Sequence, residues 1–328
     1  MKLKAFRKFM WRALLAGVVS FLIVPFLIPF ESSGTMTASQ VEPNAEFVEA
    51  AGLQVRVERA DYVGDCGCKA PLIVLMHGFG ASTFSWREVI QPLTEFGEVL
   101  AYDRPAFGLT DRPTEWSGEN PYGFAGNFDL LDDLVAQFGE GRRIVLVGHS
   151  AGGQLAAEYA RQRPALETSL VLVDAAILTT GQGSNGLGWF LQLPQMQKLG
   201  PMLVAGIATS GDDLLEESYY NKAQLTQAVY DGYHKPLKIK GWEQAFYNFT
   251  IAPRENDLKE NLSALTMPTL VMTGEHDTVV PAADAPLLHQ QIAGSQLEVV
   301  ADSAHLPQEE QPAAFMDAFA KHWALLNP

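Results

Sequence analysis

The chain has 328 residues, 47% hydrophobic, 10% aromatic and 19% charged, a balance that supplies a sizeable core and excludes general disorder. Its 23 lysines and arginines against 38 acids leave a net charge of −15, which would repel a phosphate backbone and argues against a nucleic-acid partner. Two cysteines are too few for a disulfide scaffold or a cysteine-rich zinc site.

The first element is apolar and basic at its leading edge. Lys2, Lys4, Arg7, Lys8 and Arg12 precede eighteen uncharged residues, Ala13 to Phe30. About 20 apolar residues span the hydrocarbon, so Trp11 to Phe30 is long enough. The basic flank holds that end in the cytoplasm and puts the rest of the chain outside. A cleaved signal peptide is the rival reading, with Ala13 to Val24 as its apolar region. Residues 1–34 are thus expected to form a membrane anchor or a signal segment, the body is extracytoplasmic on the membrane or secreted if the segment is cleaved, and 35–45 is a polar linker.

From residue 46 the pattern is strands alternating with helices, which predicts an α/β fold with a mainly parallel sheet covered on both faces. Phe47–Ala50 and Gln54–Glu58 read as a hairpin turning at Gly52. Buried strands are expected at Leu72–Met76, Val99–Tyr102, Ile144–Val147, Leu170–Val173 and Thr269–Met272, with Leu297–Val300 last. Helices are expected at Trp86–Phe96, Phe128–Phe138, Ala151–Arg161, Ala282–Ile292 and Pro312–Leu325. The alternation breaks over 178–262, which carries Leu187, Trp189, Phe190, Leu191 and Met196 but no good central strand. A stretch of that length between two strands predicts a helical cap, with Trp189 and Phe190 as candidate substrate-binding residues. The core is then split into 46–177 and 263–328.

Chemistry is expected where strands end. Gly148-His149-Ser150-Ala151-Gly152 follows a strand and opens a helix, the context in which G-x-S-x-G exposes a serine on a strained turn. A serine hydroxyl needs a base. Of seven histidines, His77 and His149 sit inside turns, His234 falls in the cap, and His289 and His322 lie on helices without special neighbours. His305 follows the last strand in a loop able to reach over the strand ends, and is the candidate base. For the orienting carboxylate, Asp277 hangs off strand Thr269–Met272 and precedes His305. Asp174, one strand earlier, is its rival. Asp103 reads rather as part of a rigid turn carrying an ion pair. The amides of Ala151 and of Phe79, in His77-Gly78-Phe79-Gly80, are candidate oxyanion donors.

HGFG, DRPAFG, GHSAGG, GEHDTVVP and the late His305 appear in the order found in the α/β-hydrolase family, which the chain resembles from about Glu46 to Leu325. The resemblance implies an eight-stranded, mostly parallel sheet, a Ser150–His305–Asp277 triad and an oxyanion hole of Phe79 and Ala151. Serine at position 150 sets it apart from members with an aspartate there. The expected activity is carboxylester hydrolysis through an acyl-enzyme on a hydrophobic small-molecule ester, with neither metal nor organic cofactor. A C–C bond hydrolase using the same triad and a hydrolase-fold receptor with little turnover are the alternatives. Cys66 and Cys68 are expected in a surface loop, too close in sequence to bridge easily.

Overall fold

A computed structural model describes residues 2–65, 69–139, 141–179, 188–253 and 256–328. Eight strands form one sheet: β1 (Glu46–Ala50), β2 (Leu53–Ala60), β3 (Leu72–Met76), β4 (Glu98–Tyr102), β5 (Ile144–His149), β6 (Thr168–Val173), β7 (Thr269–Gly274) and β8 (Gln296–Val300). Their spatial order is β1-β2-β4-β3-β5-β6-β7-β8. The hairpin β1–β2 and the β2–β4 pair are antiparallel, and every other pair is parallel. Ala51 (φ 49°) and Gly52 (φ 72°) close the hairpin in the two-residue turn whose central positions both need positive φ.

Strands β3, β5, β6 and β7 are buried along their whole length. Successive side chains point to opposite faces, so Val74 and Leu146 enter one core while Leu75 and Val147 enter the other. Both faces are therefore apolar, which is why these strands read as continuous Val/Ile/Leu runs.

The first long helix, α1 (Lys2–Leu27), carries a 24-residue span, Lys4–Leu27, whose most apolar 18 residues have a mean hydropathy of 2.0, long and apolar enough to cross a membrane, and those residues are almost unburied by the rest of the chain. In the core, α2 (Phe124–Phe138) and α3 (Ala151–Gln162) lie where helices were expected. The expected helix Trp86–Phe96 does not form. It is replaced by a 3₁₀ turn, Thr83–Trp86, and a single turn, Ile90–Leu93. Pro92 has no N–H, and its ring would clash with the carbonyl of residue 88 in a continuous helix.

Between β6 and β7 the described residues hold helices and no sheet strand. They include α4 (Pro194–Ala205), α5 (Ile207–Glu217), α6 (Gln227–His234) and α7 (Trp242–Ile251). Trp242, Phe246 and Phe249 of α7 pack with Met196 and Val204 of α4 and with Phe107 from the core. After β7 come α8 (Asp284–Gln291) and α9 (Pro312–Lys321). The last expected helix is interrupted at His322, beyond which Trp323–Leu326 makes one further turn. His289 and His322 do have specific neighbours: Ser295 Oγ lies 2.9 Å from one and Glu298 Oε1 2.6 Å from the other.

Candidate active site

The parallel strands end on one side, and the loops that leave them build the site. Ser150 joins β5 to α3 at φ 53°, ψ −121°, a backbone conformation costly for any residue with a side chain. Two glycines make this turn possible. A Cβ at Gly152 would lie 2.1 Å from the Met76 carbonyl oxygen, and one at Gly148 would lie 2.5 Å from that of Gly152. The Ser150 amide donates to Val173 O at 2.9 Å, tying the turn to β6.

The loop after β3 comes within touching distance of this serine, since a Cβ on Gly78 would sit 3.0 Å from Ser150 Cβ. His77 fastens that loop: Nδ1 lies 2.8 Å from Gly78 O, and Nε2 accepts from the Arg104 amide at 3.0 Å. Burial, followed by the charge of Arg104, lowers its pKa to about 3, so the ring is a neutral strut. Gly80 then turns at φ +69°. The amides of Phe79 and Ala151 have no backbone acceptor among the described residues. Asp103 supports the same region from below, accepting from the amides of Thr83 and Leu109, each at 2.7 Å, with Arg56 facing it.

His305, in the loop after β8, is buried, and its Nδ1 lies 2.7 Å from Asp277 Oδ2. Asp277 is held in turn by the amides of Val279 (2.9 Å) and Val280 (3.1 Å), both donating to Oδ1. Its other oxygen is thus directed to one imidazole nitrogen, and the opposite ring edge belongs to the cavity. The His305 amide donates to Ser218 O at 3.0 Å, and its carbonyl receives His149 Nε2 at 2.6 Å. Burial and the neighbouring His305 push His149 well below its ordinary pKa, so it is neutral and carries its proton on Nε2. No hydrogen bond joins the Ser150 hydroxyl directly to His305. Such contacts often tighten only around a substrate.

Ser150, His305 and Phe79 share the wall of one cavity of about 500 Å³, whose remaining lining includes Leu214, Leu215, Tyr233, Trp242 and Phe246. This wall is mainly apolar, and its polar members include His149, Ser218 and the paired Asp212 and His234. Trp189 and Phe190 do not line it. Trp189 is exposed, and Phe190 stacks on Phe21 of α1 with ring centroids 5.8 Å apart. The aromatic wall comes instead from α7, in the run Trp242-Glu243-Gln244-Ala245-Phe246, where the i, i+4 spacing of Trp242 and Phe246 was the available signal. Asp174 is also close: it follows β6 at φ 44°, buried, with a carboxylate oxygen within 4.8 Å of a ring nitrogen of His149 and of His305. Cys66, Cys68 and Leu187 lie outside the described residues.

The comparisons agree with this architecture. The family model described as "Alpha/beta hydrolase family" matches residues 73–318. "Monoacylglycerol lipase abhd6-A" of Xenopus laevis is 27% identical over 257 residues, 76% of this chain and 74% of that protein. The "2-hydroxy-6-oxononadienedioate/2-hydroxy-6-oxononatrienedioate hydrolase" of Escherichia coli strain K12 is 25% identical over 279 residues, 82% of this chain and 91% of its own. Among solved structures, a membrane phospholipase A described as a novel bacterial virulence factor superposes with a TM-score of 0.64 at 21% identity, covering 100% of this chain and 98% of its own. The chain belongs to the alpha/beta hydrolase family.

Proposed function

We propose that the protein is a serine hydrolase that cleaves hydrophobic carboxylic esters through an acyl-enzyme. His305 takes the proton of Ser150 as its oxygen attacks the ester carbonyl. Asp277 fixes the imidazole tautomer and stabilises its cation, and the amides of Phe79 and Ala151 receive the oxyanion. His305 then gives its proton to the departing alcohol. A water activated by the same ring attacks the acyl-serine, and the acid leaves. The observation that carries this reading is a largely apolar cavity ending at Ser150 and His305, the latter hydrogen-bonded to a buried Asp277. In this reading 178–262 is a cap over the core, and α7 supplies the wall that contacts the acyl or alcohol group.

Rates on p-nitrophenyl esters of increasing chain length test the proposal. Turnover that rises with chain length and disappears in Ser150→Ala supports it. Negligible turnover across the series, combined with cleavage of a vinylogous diketone, would replace it by the C–C hydrolase reading that the E. coli relative favours. Tight binding without turnover of either substrate would point to a receptor.

We further infer that α1 is retained as a membrane anchor, with the catalytic body extracytoplasmic. The chain just beyond α1 is built into the fold. Ser32 Oγ donates to Glu243 Oε2 at 2.6 Å, and the amide and hydroxyl of Ser33 each donate to Oε1 at 2.7 Å. Glu243 is fully buried on α7 beside Trp242, whose indole N–H donates to Ser33 Oγ at 3.0 Å. Thr35 and Met36 both donate to Lys238 O, and Met36 bridges Ile239. Cleavage near residue 38 would remove every one of these partners. A mature amino-terminal mass that includes Met1 or Lys2, in protein sedimenting with membranes, is the expected result. A terminus near Ser39 would overturn it.

A further inference from the structure

Asp174 is a carboxyl group that the mechanism above leaves without a task, and its surroundings are unusual for one. It is 2% exposed and held at φ 44°. Oδ1 accepts from the Thr273 hydroxyl at 2.8 Å and from the Gly274 amide at 3.0 Å. Oδ2 is buried and receives no hydrogen from any described residue. The group within hydrogen-bonding reach of this side chain is another acceptor, the Asp277 carboxylate.

Two ionised carboxylates in contact away from water repel strongly, and a buried polar atom without a partner carries its full desolvation cost. One proton between them removes both penalties. Asp277 is the poorer site for it, because that carboxylate already accepts from two amides and from His305. We propose that Asp174 is a neutral carboxylic acid whose Oδ2–H donates to the Asp277 carboxylate, making Asp174 a positioning residue for the acid of the triad. The proposal rests on the reading of Asp277 as the group that orients His305.

The ionisable groups facing Asp174 belong to three neighbouring strand ends. They are Asp277 after β7, His305 after β8 and His149 at the end of β5, with Asp284 of α8 adding a further negative charge near Asp277. Among the described residues no lysine or arginine forms an ion pair with either carboxylate, and the only ion-pair partner of Asp277 is His305. Burial, followed by the charge of Asp277, drives the Asp174 pKa well upward, consistent with the geometry.

The protonation state has a consequence independent of catalysis. An unfolded Asp174 is ionised at neutral pH, so a chain that buries it neutral takes up one proton on folding. Stability then falls as pH rises from the unfolded pKa to the raised folded one, by about tenfold in the folding equilibrium constant per pH unit. An asparagine at this position has the same shape, keeps a donor for Asp277 and an acceptor for Thr273, and takes up no proton.

The test measures urea stability of full-length wild type and Asp174→Asn in detergent from pH 5 to pH 8. The advantage of Asp174→Asn should grow about tenfold per pH unit. Infrared difference spectra should show a protonated-carboxyl stretch in the wild type that the variant lacks. Parallel pH dependences and no such band would overturn the proposal, whatever the enzyme's substrate proves to be. On p-nitrophenyl butyrate, Asp174→Ala should lower kcat roughly tenfold with little change in KM, and Asp174→Asn should recover part of that loss. Equal losses in both variants would show that the donated hydrogen bond has no effect on the triad. If Asp174→Ala does not fold, the stability slope and the infrared band still decide the matter.

Discussion

Ser150 holds its strained backbone only because the surrounding turn gives it no alternative, and this separates two variants that chemistry alone would not. If Ser150 is the nucleophile of the reaction proposed above, Ser150→Ala and Ser150→Gly should both lose ester turnover by several orders of magnitude. Glycine accepts φ 53° without steric cost, so Ser150→Gly should also be more stable than Ser150→Ala, by about 1 kcal/mol in urea denaturation. Equal midpoints would mean that the turn stores no strain. At this scale the sequence was informative where punctuation marks position. Ser150 is framed by glycines, and Asp277 and His305 each follow an apolar strand. What stayed hidden was proximity between loops. Asp174 and Asp277 are separated by more than a hundred residues, and only the pairing of β6 with β7 brings those two strand ends together. The sequence could pose them as rivals but not as neighbours.

Elements were legible in proportion to how far local pattern decides them. The central strands were predicted because burial on both faces forces unbroken apolar runs, whereas the helix expected at Trp86–Phe96 passed over Pro92, a breaker that the sequence itself displays. The insertion was the least legible part, since its helices pack by shape rather than by period. Its attachment to the core is nonetheless specific. Glu309, one turn beyond His305, is buried and accepts from the hydroxyls of Tyr219 (2.6 Å) and Tyr233 (2.5 Å) and from Arg87 (2.5 Å). Next to it, Glu310 accepts from the amides of Tyr220, Asn221 and Ala304. Glu309→Ala would leave Arg87 without its principal partner and two tyrosine hydroxyls unsatisfied, so a loss on the order of 3 kcal/mol is expected in denaturant unfolding. Activity should fall too, because the loop that carries His305 runs straight into the turn that holds Glu309. At the cavity, Phe246→Ala should shift the preferred acyl length while changing the rate on p-nitrophenyl acetate much less. Equal slowing of short and long esters would mean that Phe246 serves the packing of α7 and not the substrate.

For the whole molecule, the apolar helix α1 and the body that carries the sheet are joined by very little chain. Ser32 to Met36 are taken up by contacts with the insertion, and Phe21 of α1 rests on Phe190. This refines where the amino-terminal helix can be cut away. Deleting residues 1–30 should give a folded, active protein, whereas deleting 1–34 strands the buried Glu243 and should lower the melting temperature by several degrees. Indistinguishable melting curves for the two truncations would mean that Ser32 and Ser33 are incidental.

The shortness of the join also governs how such an enzyme meets its substrate. Between Leu27, the last residue of α1, and Ser32 lie four residues, which span at most about 14 Å when fully extended. With the anchor retained, the cavity cannot sweep through the surrounding fluid as it could on a long leash. It travels in a thin layer over the bilayer, and the concentration it experiences is a number of molecules per unit of membrane area. Diluting a long-chain ester with inert lipid, at constant total ester, should therefore slow the anchored protein in proportion to the ester's mole fraction. The protein lacking residues 1–30 should follow the dissolved ester instead. Identical responses from the two would show that the anchor fixes an address and nothing more.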